Sequence, residues 1–208
     1  SNSQGVLQEM IPCLFGPGQA TDLMFRNIRS KRSKYLKDAR EHCEEIWREY
    51  YQYADHNFLS NIRSSFHARF WEMYLTVALI RQGFNVSAPK PGPDIKIEFG
   101  GKTIWIEAVA PSGGRPDAPE SISPPKMGVA YQVPQEKIIL RYLASIQKKC
   151  TEQYTRWIDN GKISANDCFI VALNTIMIPF DHSDPHSPRI LQCTIGLGDL
   201  GIAIDPVT

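Results

Sequence analysis

Three acidic residues, Glu72, Asp94 and Glu107, stand where a helix followed by a β-hairpin would gather them. The hairpin is readable from residue types. Asp94 to Phe99 (DIKIEF) alternates polar and apolar, Lys102 to Ala108 (KTIWIEA) is β-branched and aromatic, and Gly100-Gly101 between them suits a two-residue primed turn. With Phe99 opposite Lys102, paired residue numbers add to 201, and Asp94 falls opposite Glu107. Directly opposed residues share a face with Cβ atoms roughly 5 Å apart, so two carboxylates there repel. A hard divalent cation held between them removes that cost. The alternative is a pair of solvated carboxylates at a sheet edge. Two neighbours favour the cation. Glu107 lies between Ile104-Trp105-Ile106 and Ala108-Val109-Ala110, where an uncompensated charge is expensive, and Pro91-Gly92-Pro93 stiffens the approach to Asp94.

These residues resemble the PD-(D/E)xK nuclease superfamily, the restriction-endonuclease-like fold. The resemblance rests on Pro93-Asp94, on Glu107 thirteen positions after Asp94, and on the order of elements from Phe66 to Asn174. It implies an α/β protein with an α-β-β-β-α-β core, a mixed sheet and an N-terminal helical extension, divided as residues 1–57 and 58–208. It also implies a metal-dependent nuclease that hydrolyses phosphodiester bonds. Asp94, Glu107 and the Ala108 carbonyl would bind Mg²⁺ or Mn²⁺, and Glu72 would match the acid of the first helix. The lysine expected two residues after the Glu is replaced by Val109. A cation there stabilises developing charge and helps orient the attacking water. Lys137 and Arg141, early in the second helix, are the candidates to replace it, ahead of Lys96; Gln132 or Gln135 could position water without carrying charge. The competing reading is a degenerate module of the same fold that binds nucleic acid or a partner without chemistry. The expected partner is nucleic acid, DNA ahead of RNA, with a homodimer left open.

Composition sets wider bounds. The chain of 208 residues is 42% hydrophobic, ordinary for a globular protein, and carries a net charge of +1, so any basic surface must be local. No apolar run is long enough for a membrane span. Five scattered cysteines without zinc-type spacing point to reduced thiols and a cytoplasmic setting.

The elements that must place the acids follow from periodicity. Gln4 to Gly18 reads as an irregular arm, Thr21-Asp22 as a cap, and Lys31 to Ala54 as one long helix. Seven basic residues (Arg26, Arg29, Lys31, Arg32, Lys34, Lys37, Arg40) face one acid, Asp38, in a short span; this is a solvated helix face or a phosphate-contacting arm. Asn61 to Gln82 reads as the helix that carries Glu72, beside a stripe of Phe66, Phe70, Met73, Val77 and Ile80. Glu72 there either pairs with Arg69 at the surface or serves the metal. Phe84 to Ala88 is the first strand. Six prolines between Val109 and Pro134 make a long connection, a floppy crossover or a flap. Gln135 to Asn160 reads as one helix, with Ile138, Tyr142, Ser145 and Lys149 along one row, and Cys168 to Leu173 as a strand buried on both faces. Two further motifs lack context. Gly196 to Gly201 spells G-x-G-x-x-G but precedes a strand instead of a helix, against nucleotide binding. Asp181, His182, Asp184 and His186 could bind zinc but lie in a Pro/Ser-rich loop.

Overall fold

The structure is a computed structural model that describes residues 11–182 and 188–196. It is an α/β fold whose strands form a mixed sheet in the order β1-β2-β3-β4. The chain divides into two compact units, Ser1–Thr103 and Ile104–Thr208, each with its own core.

In the first unit, helix α1 (Leu23–Ser30) begins at Asp22, whose Oδ1 accepts from the Phe25 amide at 3.0 Å. Lys31, in left-handed backbone geometry (φ 53°), ends it, and Ser33 caps α2 (Lys34–Tyr50). The single helix expected from Lys31 to Ala54 is therefore shorter, because its start is fixed by that cap and its end tightens into a 3₁₀ turn at Tyr51–Tyr53. The helix expected over Asn61 to Gln82 is likewise two, α3 (Phe58–Ile62) and α4 (Phe66–Arg81). Asp22 accounts for the break. Its Oδ2 accepts from the Phe66 amide (3.1 Å), while its own amide donates to the Arg63 carbonyl (2.9 Å). The apolar faces meet in one core built on Phe25, Trp47, Tyr50, Phe58, Phe66 and Met73, with the Trp47 and Phe58 rings stacked at 5.2 Å. The helices before residue 58 thus share their core with α4. The irregular arm joins them: Leu14 and Phe15 are buried, and both their amides donate to the Glu44 carboxylate.

Strands β1 (Asn85–Ser87) and β2 (Ile95–Phe99) pair antiparallel, with Val86 opposite Ile97. Ile95 and Ile97 are buried, and Lys96 reaches Glu98 at 2.7 Å. Gly100 and Gly101 both take positive φ (57° and 72°), the pairing that a type I′ turn needs and that a Cβ would strain. Thr103 then lies beside Glu98, its hydroxyl 3.0 Å from the carboxylate, in the register the turn predicts.

Strand β3 (Lys102–Val109) enters the second unit at Ile104 and from there runs parallel to β4 (Cys168–Leu173), with Glu107 opposite Val171 and Val109 opposite Leu173. The crossover between them is pinned in part: Ile122 is buried, and its amide donates to the Gly113 carbonyl at 2.7 Å. The helix expected to run unbroken from Gln135 to Asn160 instead contains a π-helical stretch, Lys148–Gln153, between α5 (Gln135–Gln147) and α6 (Tyr154–Asp159). Strand β4 is not buried on both faces. It stands last in the strand order, and Ile170 is 45% exposed. Helix α7 (Arg189–Ile195) brings the buried Arg189 onto Gln135 Oε1 (2.8 Å) and the Asp181 carbonyl (2.7 Å). Asp181, one of the conceivable zinc ligands, also receives hydrogen bonds from the Tyr142 and Thr175 hydroxyls. Asp184, His186 and the glycine motif after Gly196 lie outside the described residues. Among those described, no helix is long and apolar enough to cross a membrane.

Candidate active site

Glu72 occupies the inner side of α4 and is only 4% exposed, so its charge needs partners. It has three. Tyr50 donates its hydroxyl to Oε1 at 2.9 Å, Arg69 reaches Oε2 at 2.7 Å from one turn earlier, and the Lys90 ammonium lies 3.7 Å from Oε1. The Arg69 pairing foreseen for a surface position is thus present, but in a buried setting. Burial and the adjoining Glu72 carboxylate push the Tyr50 phenol well above its ordinary range, so it remains a donor. Burial alone would lower the Arg69 pKa; Glu72 and Asp55 more than offset it and keep the guanidinium charged.

Lys90 also lies 4.0 Å from Asp94 Oδ1. Asp94 precedes β2 at the end of the Pro91–Pro93 segment, whose Lys90-Pro91 bond is cis. One ammonium therefore serves both the Glu72 and the Asp94 carboxylate. A cation held in common by two acids is what their proximity demands, whether ammonium or metal supplies it.

Glu107 is 7% exposed, between Ile106 and Ala108 on β3. Its Oε1 accepts from the Lys149 ammonium at 2.7 Å, a short charge-assisted bond. Lys149 ends the row Ile138, Tyr142, Ser145, whose first three members are buried, and it sits in the π-helical stretch. A π turn shifts the angular register of a helix, and such turns are frequent at functional sites. The residues expected to supply this cation point elsewhere. Lys137 donates to the Ser121 carbonyl (3.3 Å), and Arg141 donates to the Ser112 carbonyl (3.1 Å) and Glu120 (3.2 Å). Both hold the crossover loop. Arg141, Arg115 and Lys148 line an open cleft of about 710 Å³ together with Ser112, Gly114, Glu120 and Glu152, Arg141 being paired there with Glu120. Val109 is half-buried at the end of β3, its carbonyl accepting from the Asn174 amide at 2.7 Å.

As donors, Glu72, Asp94, Glu107 and the Ala108 carbonyl are all oxygen, the type that Mg²⁺ and Mn²⁺ prefer. Among the described residues no cluster of three or more His, Cys, Asp or Glu side chains is arranged for a metal. The carboxylates instead carry protein cations, Lys90 on Glu72 and Asp94 and Lys149 on Glu107. Each acid is thus an oxygen donor already neutralised by a lysine within its own unit.

Tyr50, Lys90 and Lys149 escape sequence reasoning. The one available signal is the lysine closing an otherwise buried helical row. The chain matches no family model, no curated protein and no solved structure.

Proposed function

We propose that the chain is a metal-dependent phosphodiesterase acting on nucleic acid. The observation that carries this reading is the buried Glu107 carboxylate bound to Lys149. It supplies a carboxylate and a lysine together where Val109 denies the strand its own lysine. In this reading Asp94 and Glu107, with the Ala108 carbonyl, hold Mg²⁺ or Mn²⁺, and Glu72 contributes directly or through water. A bound divalent ion supplies an acidified water and neutralises charge at the phosphate. The chain's own groups do the rest. Tyr50 and Arg69 fix the rotamer of Glu72, and Lys149 offers a donor for charge that develops on the phosphate. Arg115 and Lys148 in the cleft beside α5 would contact the phosphate backbone.

The test is cleavage of end-labelled DNA and RNA, single- and double-stranded, in Mg²⁺ or Mn²⁺ against a chelator. Metal-dependent cleavage is expected, reduced by about a hundredfold or more in Asp94→Asn and Glu107→Gln, the loss typical of removing one transition-state contact. Cleavage equal in those variants sinks the proposal. Nucleic-acid binding with no cleavage of any substrate would leave the degenerate binding module, for which Lys90 placed against both Glu72 and Asp94 is the supporting observation.

A further inference from the structure

The basic span of the N-terminal helices is sorted by the fold into two kinds of cation. Arg29 and Arg40 turn inward. Arg29 donates to the Gly18 carbonyl (2.8 Å) and lies over the Phe25 ring, while Arg40 donates to the Arg29 carbonyl (3.0 Å) and lies over the Phe15 ring. These two are structural. Arg26, Lys31, Arg32, Lys34 and Lys37 are exposed around the tight Lys31–Ser33 turn, and of these only Lys34 has an ion-pair partner among the described residues, Asp38 at 2.6 Å. Tyr35, 79% exposed, stands among them.

Their placement opposes what helix stability prefers. The positive end of a helix dipole favours acids in the first turn, yet the first turn of α2 has none and carries Lys34 and Lys37. The acids Glu41, Glu44, Glu45 and Glu49 come later, towards the negative end. The later acids have partners in the fold, Glu44 in the Leu14 and Phe15 amides and Glu45 and Glu49 in Arg81, whereas Arg26, Lys31, Arg32 and Lys37 have no ion-pair partner among the described residues, the pattern expected of a binding surface. A molecule of net charge +1 concentrates positive charge here while α2 turns acidic beyond it.

We propose that this corner, Arg26, Lys31, Arg32, Lys34 and Lys37 with Tyr35, holds the sugar-phosphate backbone of nucleic acid. It is a docking surface separate from the residues assigned to chemistry. It rests on the proposed phosphodiesterase reading only for the choice of polyanion. Exposed cations on adjacent turns suit regularly spaced phosphates, and an exposed tyrosine suits a sugar or an unstacked base. Contacts of this kind carry affinity without sequence preference.

The experiment is fluorescence anisotropy of the full chain with a short fluorescein-labelled DNA duplex across a salt series, chelator present so that cleavage plays no part. The triple variant Arg26→Gln, Arg32→Gln, Lys37→Gln should bind at least about tenfold more weakly. Its slope of log affinity against log salt should be shallower by up to about 2.7, at roughly 0.9 per phosphate contact. Arg48→Gln, one charge removed from the acidic part of the same helix, should leave the slope within error. Circular dichroism should show the variants folded, as expected for exposed side chains. An unchanged slope in the folded triple variant overturns the proposal, and so does binding to vesicles of phosphatidylcholine and phosphatidylserine with no binding to the duplex. The two readings fail separately. If the triple variant loses the slope but no substrate is ever cleaved, the docking corner stands and the enzyme does not. If wild type cleaves in metal and the triple variant binds as before, the reverse holds.

Discussion

Replacing Lys149 with methionine removes the ammonium from Glu107 while keeping most of the apolar stem. Removing one partner of a fully buried ion pair costs roughly 3–5 kcal/mol, because the other charge is stranded. Here the side chains of Lys149 and Glu107 retain 19% and 10% of their exposure, so water recovers part of that. We expect a loss of about 2–3 kcal/mol. With a urea dependence of roughly 2 kcal/mol per M, the unfolding midpoint should fall by about 1–1.5 M, followed by tryptophan fluorescence. Glu107→Gln alone should also destabilise, and the double variant should cost less than the sum, with a coupling of about 1–2 kcal/mol. Function gives the second readout. If Lys149 stabilises charge on the phosphate, Lys149→Met should cleave about a hundredfold more slowly at a temperature where it is fully folded. A coupling below about 0.5 kcal/mol would refute the ion pair. Cleavage at the wild-type rate in Lys149→Met would refute its catalytic use while leaving the fold untouched.

Three more outcomes follow from other contacts. Tyr50→Phe should lose about 1.5–3 kcal/mol at neutral pH, the worth of a buried hydrogen bond to a charged group. Because the folded protein keeps the Tyr50 proton while an unfolded phenol loses it above about pH 10, that stability is whole below pH 10 and declines above it. The decline is up to about 1.4 kcal/mol per pH unit, and the variant should show a correspondingly flatter alkaline limb; equal limbs would contradict the assignment. Lys90→Met should raise the Mn²⁺-induced gain in Tm above that of wild type, since a competing cation leaves Glu72 and Asp94, and adding Asp94→Asn should abolish the gain. Gly101→Val should cost about 1–2 kcal/mol, read by thermal melting, because a β-branched residue must enter a left-handed conformation; a neutral effect would mean that the turn reshapes freely.

What the sequence disclosed was local chemistry. Gly100-Gly101 specified its turn because two consecutive positive φ angles leave few other residues eligible. Glu107 was recognisable as costly because its neighbours are apolar on both sides. The helix break at Arg63–Ser65 was hidden because the apolar spacing of Phe58, Ile62 and Phe66 continues across it, and what interrupts it is the Asp22 carboxylate. The start of α2 was placed three residues early because Lys31 and Arg32 are good helix formers that mask the Ser33 cap. The exposure of Ile170 was hidden because an apolar run does not state how many layers will cover it. Lys90 and Lys149 were missed for a different reason. Their role comes from partners 18 and 42 positions away, Glu72 and Glu107, and the second also depends on a π turn that ordinary helical residues do not announce.

Asp22 has a wider consequence. One carboxylate starts two helices whose first residues lie far apart in the chain, its Oδ1 on the Phe25 amide and its Oδ2 on the Phe66 amide. The α1 cap is local to Asp22 and Phe25, but the Phe66 amide at the start of α4 finds this partner only once Asp22 has arrived, so that end of α4 is tied to a contact 44 positions away in the chain. A fragment cut to begin at residue 58 would therefore surrender the start of α4 along with the aromatic faces that cover it. Anyone trimming the protein towards a minimal catalytic piece should expect the cut to reach Glu72 through the helix that carries it.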